Sequence, residues 1–464
     1  MKSSRFDAMV EIFSGEVLDY LKEHKDFADT ETAMCREINA VLCRSIEVAF
    51  SRFDELLYES RADHLVSKGF VSRTMLSASG SLVLRRRRYF NKRTGTSLNL
   101  ADVVLDIPAS DKITPRAAEL VCHRALDAAY QGAADLLENL SGAKISKTTV
   151  KEALAQAADV LKRRDSIHTF EGERVSETLY CEPDGCFIKL QQRHVPKARR
   201  KTKNKELSVI VLYEGKERSK AGALKRKNTH YIATADSFEK AWASTDRYID
   251  KTYDTSAIKQ SYLGSDGDAG CLSGVDILPG FVTVGYDVWH LYDKVRRLAK
   301  LAHAKEISGL LSRGQIEEAA NCARHYSYLA QDETSRGDLV ELADFISTNK
   351  KIIANGLKHN LGTIEGTNAH LIGSRLKNYG GAWSIAGADA MVTLRANHAS
   401  GGQIPTVRSS AFPKPCNTSD EDMTETDSAS YRSMYKNTVE YYHQAKIAWE
   451  NESCRIKKNM AQVY

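Results

Sequence analysis

The hydrophobic period of this chain changes near residue 176, and that change constrains its fold more than any other feature. Upstream, apolar residues recur at three-to-four spacing. FDAMVEIFSGEVLDYLKEH and a long run from Thr30 to about Val66 make residues 1–76 read as helices. From 176 the period is two. Strands are expected at about 185–193, 206–213 and 229–234, then a helix at 236–251 and a strand near 258–264. GFVTVGYDVW (280–289) reads as another strand and runs into helical pattern that continues without strand signal over 290–358. A further helix begins near Thr363. Three strands, a helix and a fourth strand make an α/β domain, and 290–358 an all-helical insertion within it.

Ahead of that domain, TMLSASGSLVLRRRRYFNKRTGTSLNLA reads as a short strand pair with a turn at Asn91–Gly95, and helices resume over 114–163. One helix there stops at a Gly-containing turn, Ser141–Ala143, and a second opens at Ser146, a good N-cap. This is either an ordinary helical hairpin or a helix-turn-helix. In the second case Lys147, Thr148, Thr149 and Lys151 lie where a recognition helix meets bases and phosphates. Net charge is only +6, yet the basic residues are clustered. Arg85, Arg86, Arg87 and Arg88 form one run. RHVPKARRKTKNK (193–205), with Arg199, Arg200 and Lys201 at its centre, and KERSKAGALKRK (216–227) form two more. Any one such run is usually a solvated face, but three together suggest a polyanion, most simply nucleic acid.

Composition excludes several classes. No apolar run reaches the ~18 residues of a membrane helix, and the N-terminus does not read as a signal peptide. The nine cysteines lack the spacing of a zinc site or a disulfide scaffold. They read as reduced thiols of a cytoplasmic protein. The expected layout is a helical region at 1–76, a hairpin plus helix-turn-helix DNA-binding domain at 77–165, and a core at 176–289. The insertion at 290–358, a return to the core at 359–399, a flexible linker at 400–429 and a C-terminal helix at 430–464 complete it.

Three carboxylates stand out in this layout. In YCEPDGCFIKL (180–190), Asp184 sits between Pro183 and Gly185 at the mouth of a strand, as turn chemistry or as a metal ligand. In YLGSDGDAG (262–270) a strand ends at Asp266, with Asp268 as a competing ligand, although its side chain points away if the strand continues. In GTIEGTNAHLIGSRLKNYGG (362–381) Glu365 starts a glycine-dense helical pattern. Arg375 and Lys377 follow it, as phosphate grips or as surface ion-pair partners. A first strand with Asp184, a fourth with Asp266 and a late helix with Glu365 follow the ribonuclease-H-like order, in which strands one and four are neighbours. Two Mg²⁺ ions about 3.5–4 Å apart need such shared hard oxygen ligands, and no His or Cys cluster is read beside them. Mn²⁺ is expected to substitute.

The segments EPDGCFIKL, SYLGSDGDAG, GYDVWHLYDKV and GTIEGTNAHLIGSRLKNYGGAWSIAGADAMVTLRA resemble the bacterial insertion-sequence DDE transposases of the Lre type, of the Mutator-like group, long catalogued as an uncharacterised protein family. The resemblance spans roughly 70 to 400. It implies Asp184, Asp266 and Glu365 as catalytic, metal-binding residues, with Asp287 and His290 matching an Asp-x-x-His motif that orients substrate or supports the site. It implies a Mg²⁺-dependent enzyme that cleaves element ends and joins them to target DNA. It further implies a homo-oligomer working at the bacterial nucleoid. A nuclease without strand transfer and a non-catalytic DNA-binding descendant are the alternatives. The sequence departs from the family's pattern at Asp268, where an alanine is usual, and at Trp289, in place of another aromatic.

Overall fold

The structure is a computed structural model that describes residues 2–24, 26–105, 107, 111–166, 172–192, 203–218, 224–378 and 381–405. The expected C-terminal helix and most of the expected linker lie outside the described residues, as do Arg199, Arg200 and Lys201. Two compact units emerge, one of Met1–Val121 with Gln131–Val150, the other of Cys122–Tyr130 with Lys151–Pro405. Among the described residues no helix is long and apolar enough to cross a membrane.

The chain opens with α1 (Lys2–His24) and α2 (Phe27–Glu59), then β1 (Leu65–Leu76), β2 (Ser81–Asn91) and β3 (Ser97–Asn99). After these come α3 (Leu100–Val104), α4 (Pro115–Asp127), α5 (Tyr130–Ser141) and α6 (Lys147–Ser166). The three strands form an antiparallel sheet with β2 at its centre. Its core packs Leu65, Leu82, Leu84, Tyr89 and Leu100 against Phe50 and Leu57 of α2. The helical reading of residues up to 76 is corrected here, because Leu65–Leu76 is a strand. The pairing register shifts between Ser67 and Phe70, around Gly69 at φ +93°, and Lys68–Phe70 in the middle of the strand are exposed, so no clean period of two survives in the sequence. The turn that joins the two long strands is Ser77–Gly80; Asn91–Gly95 leads instead to β3.

The second unit continues with β4 (Thr178–Lys189), β5 (Asn204–Tyr213), β6 (Gly215–Arg218), β7 (Leu224–Lys227), β8 (His230–Thr234) and α7 (Phe238–Thr252). Next are β9 (Gln260–Ser265), α8 (Ala269–Leu272), β10 (Phe281–Tyr286), α9 (Val288–Ser312), α10 (Ile316–Leu329), α11 (Glu333–Thr348) and α12 (Lys350–His359). It ends with α13 (Ile364–Asn368), π-helical turns over Ala369–Lys377, and α14 (Ile385–Ala399). The unit is mixed α/β. Its central sheet has the order β10-β9-β4-β5-β8; β5 is antiparallel to β4 and β8, while β4, β9 and β10 are mutually parallel.

One face of this sheet is apolar. Leu179, Cys181, Ile210, Leu212 and Leu263 meet Ala241, Trp242 and Ile249 of α7 and Tyr253 just after it. The other face carries a stacked row, Tyr213 on Tyr180 at 5.0 Å and Tyr180 on Tyr262 at 4.8 Å between ring centroids. Helices α9 to α12 build their own core from Leu291, Val295, Ile307, Leu311, Leu342, Ile346 and Ile353, matching the all-helical reading of 290–358. Helix α12 reaches the sheet through a glycine: a Cβ on Gly356 would stand 1.9 Å from the Tyr286 carbonyl oxygen. The hairpin β6–β7 was not anticipated from sequence, because apart from Gly215 and Leu224 its residues are all charged and no apolar alternation marks it.

Candidate metal centre

Strand β4 answers the question raised by Pro-Asp-Gly. It runs straight through that tripeptide, pairing Pro183 with Ile210 and Asp184 with Val209, so Asp184 is neither in a turn nor at the strand mouth. The ladder from β4 to β9 ends at Cys181, leaving β4 an edge on that side, where a proline's missing N–H costs nothing. The registers then explain the site. Thr178 faces Gln260 and Gln260 faces Phe281, constant offsets of 82 and 21 residues. The same offsets carry Asp184 to Asp266 and Asp266 to Asp287. Asp266 and Asp287 thus directly follow β9 and β10, and Asp184 lies inside β4 at the corresponding level, three residues beyond its last pairing with β9.

Asp287 is 2% exposed and caps α9, its Oδ1 accepting from the His290 amide at 2.9 Å. This cap aims the His290 ring back toward the aspartates. One ligand atom each from Asp184, Asp266 and His290 lies within 4.8 Å of the others. Sequence reasoning found no histidine among the ligands; the structure brings His290 into the group, and Asp287 fixes it. Asp268 stays out, because it caps the short α8 by accepting from the Gly270 amide at 2.7 Å. Glu365 lies half-buried on α13, outside the three-residue group but near enough for its charge to act on Asp184.

The electrostatics show a site crowded with negative charge. Burial drives the Asp184 carboxyl up, Asp266 and Glu365 add to the effect, and His290 and the Gly185 amide oppose it, leaving its pKa raised to about 7. Burial pushes His290 down, but Asp287, Asp184 and Asp266 more than offset that and hold it at about 9. Asn368, at the end of α13, donates from Nδ2 to Asp184 Oδ2 at 2.5 Å, and its buried Oδ1 has no hydrogen-bond partner. His290 Nδ1 is likewise buried without one, 3.2 Å from Asp287 Oδ1 but off-line. Clustered carboxylates with a displaced proton and an orphaned amide oxygen beside them fit a divalent cation.

Sequence reasoning missed Glu182. It is 0% exposed, and its Oε2 accepts from the amides of Gly362 (3.1 Å), Thr363 (2.5 Å) and Ile364 (3.0 Å) and from Thr363 Oγ1 (3.0 Å). Its position two residues before Asp184 on one strand was the available signal. Starting that strand at 185 left Glu182 outside it.

The basic residues separate into two kinds. Arg85 and Arg88 are exposed. Arg86 and Arg87 are not available as an outward basic run, which corrects their reading as DNA contacts. Arg86 Nε lies 2.7 Å from Asp102, while Arg87 pairs with Asp54 at 2.9 Å and Glu55 at 2.6 Å. The phase shift in the sheet turns both of them inward. Ser146 does cap α6, accepting from the Thr149 amide at 3.1 Å, and Lys147, Thr148 and Lys151 are exposed there, with Thr149 half-buried. Arg375 is also committed inside the fold: its Nε donates to the Ala125 carbonyl at 3.0 Å and its guanidinium lies 4.9 Å over the buried Trp383. Lys377 is exposed, with its charge felt by Cys186 on β4.

Residues 20–411 match the pattern of the Uncharacterised protein family (UPF0236). A curated relative from Streptococcus gallolyticus, named "UPF0236 protein in vanSb 3'region", is 23% identical over 409 residues, covering 82% of this chain and 84% of the relative.

Proposed function

We propose that this chain, which belongs to the Uncharacterised protein family (UPF0236), is a DDE transposase that cleaves phosphodiesters at the ends of a mobile element and joins them to target DNA. The observation that carries the reading is the row of aspartates across β4, β9 and β10, with His290 closing on Asp184 and Asp266. The sheet order supports it, because an antiparallel meander continued by two parallel strands on the β4 side is the ribonuclease-H-like arrangement.

When bound, Mg²⁺ or Mn²⁺ supplies electrophilic polarisation of the phosphodiester and neutralises charge in an in-line displacement. Asp184 and Asp266 would hold it, and Glu365 would add a carboxylate from α13. The chain's residues supply the rest. Asn368 fixes one oxygen of Asp184. His290, fixed through its amide by Asp287, closes the group with a ring nitrogen beside the Asp184 and Asp266 oxygens. The exposed start of α6 offers Lys147 and Lys151 to a DNA backbone.

The test is supercoiled plasmid carrying the DNA that flanks the gene, incubated with protein in Mg²⁺ or Mn²⁺. Cleaved ends followed by joined products are expected from wild type and from Asp268→Ala, and neither from Asp184→Ala, Asp266→Ala or Glu365→Ala. Cleavage without joining would make the protein a nuclease. Binding without strand breaks, equal in every variant, would remove the catalytic reading.

A further inference from the structure

We infer that Glu182 is a positioning residue: it seats α13 so that Glu365 faces Asp184 and Asp266, an inference that rests on the metal-dependent reading above. Helix α13 is five residues long, too short to hold itself by helical hydrogen bonding. Its first turn has free amides, and Glu182 Oε2 gathers three successive ones, from Gly362, Thr363 and Ile364. A carboxylate suits the positive end of that turn. The other oxygen, Oε1, takes the Tyr213 hydroxyl and lies 4.0 Å from Lys216 Nζ, so the buried charge is fully engaged.

The last residue of the same helix is Asn368, bonded to Asp184. Helix α13 is therefore tied at both ends to residues two apart on one face of β4, a spacing of roughly 6–7 Å along a strand. Glu365 rides between the two ties. The neighbouring strand leaves room for this: a Cβ on Gly264 would come within 3.2 Å of Glu182 Cγ and 3.1 Å of Leu361 Cβ. Hairpin β6–β7 completes the seat, since Arg226 donates to Thr363 Oγ1 at 3.1 Å and to Thr367 Oγ1 at 3.0 Å, and Lys216 donates to the Asn360 carbonyl. A group that only filled space here would need no directed acceptor. Glu182 specifies where the helix begins, and so where its second residue points.

The experiment compares the full-length wild type with Glu182→Gln and Glu365→Gln. It measures Mn²⁺ affinity by electron paramagnetic resonance, kcat and KM for plasmid cleavage, and the melting temperature. Glu182→Gln is expected to melt near wild type and to bind Mn²⁺ about tenfold more weakly, as outer residues of metal sites commonly do. Its kcat should fall about 10- to 100-fold with KM for DNA unchanged, and excess Mn²⁺ should restore part of it. A purely structural lesion would show neither the kcat–KM split nor metal rescue. Wild-type affinity and kcat in Glu182→Gln, beside losses in Glu365→Gln, would overturn the inference and leave the function standing. Should Glu182→Gln fail to fold, Thr363→Val removes one of the four donors to Oε2; wild-type Mn²⁺ affinity in that variant would overturn it equally. A wild type that binds no Mn²⁺ would instead refute the metal-dependent function, and Glu182's role with it.

Discussion

Asp184 carries an electrostatic load that a single substitution should release. With its carboxyl raised to about 7 from the ordinary range near 4, the folded chain holds that proton more tightly than the unfolded chain does. The sign follows from linkage: stability is highest below the unfolded value and is lost as pH rises from about 4 to about 7. A shift of roughly 3 units corresponds to about 4 kcal/mol, and relaxation around the ionised group should leave roughly half of that. Asp184→Asn removes the charge, and the site can accept an amide. Asn368 Oδ1 has no partner, so turning the Asn368 amide offers its oxygen to the new side chain. In EDTA at pH 8 the variant should therefore be more stable by about 2 kcal/mol, roughly 5 °C in melting temperature. The gap should close toward pH 4.5. Saturating Mn²⁺ should reverse the order by raising only the wild type. Thermal melts at pH 4.5, 6 and 8, with and without metal, decide it. A variant no more stable than wild type at pH 8 in EDTA, or equally favoured at pH 4.5, would refute the argument that the site is frustrated without a cation.

Four further outcomes test packing within the two units. Gly356→Ala drives a Cβ to within 1.9 Å of the Tyr286 carbonyl and should lower stability by ~1–3 kcal/mol. By contrast, Gly337→Ala in α11, with nothing within 4 Å, should raise stability by up to ~1 kcal/mol, and paired melts separate the two. His230 is stacked on Tyr248 at 3.6 Å and held by burial at about 4, below its unfolded value. The folded chain refuses that proton, so stability should fall as pH drops from 6.5 toward 4, by up to ~3 kcal/mol, and His230→Phe should flatten that limb. Asp54→Ala leaves the Arg87 guanidinium buried with Glu55 as its one remaining carboxylate and should cost about 3 kcal/mol in the first unit, part of it regained in the double variant with Arg87→Met, which leaves the Arg87 amide still without its Asp54 acceptor.

Much of this molecule was legible in one dimension. Apolar periodicity located β5, β8, α7, β9 and β10 and the helical stretch after them, because each period records which face of a local element is buried. Ser146 and its turn were readable for the same local reason, since capping involves neighbours three residues apart. The sequence also singled out Asp184 and Asp266, as carboxylates placed where strand residues are expected.

What the sequence left open depends on pairing across space. The inward turn of Arg86 and Arg87 follows from a bulge on the opposite strand, which no arginine run announces. Offsets of 82 and 21 residues, set by strand register, put Asp287 in line with the other two aspartates and bring His290 against them. Glu182 looked like any strand-flanking acid until the amides of residues 362 to 364 met it from some 180 positions away. A carboxylate's role is decided by the donors and charges around it, and only the folded chain assembles them.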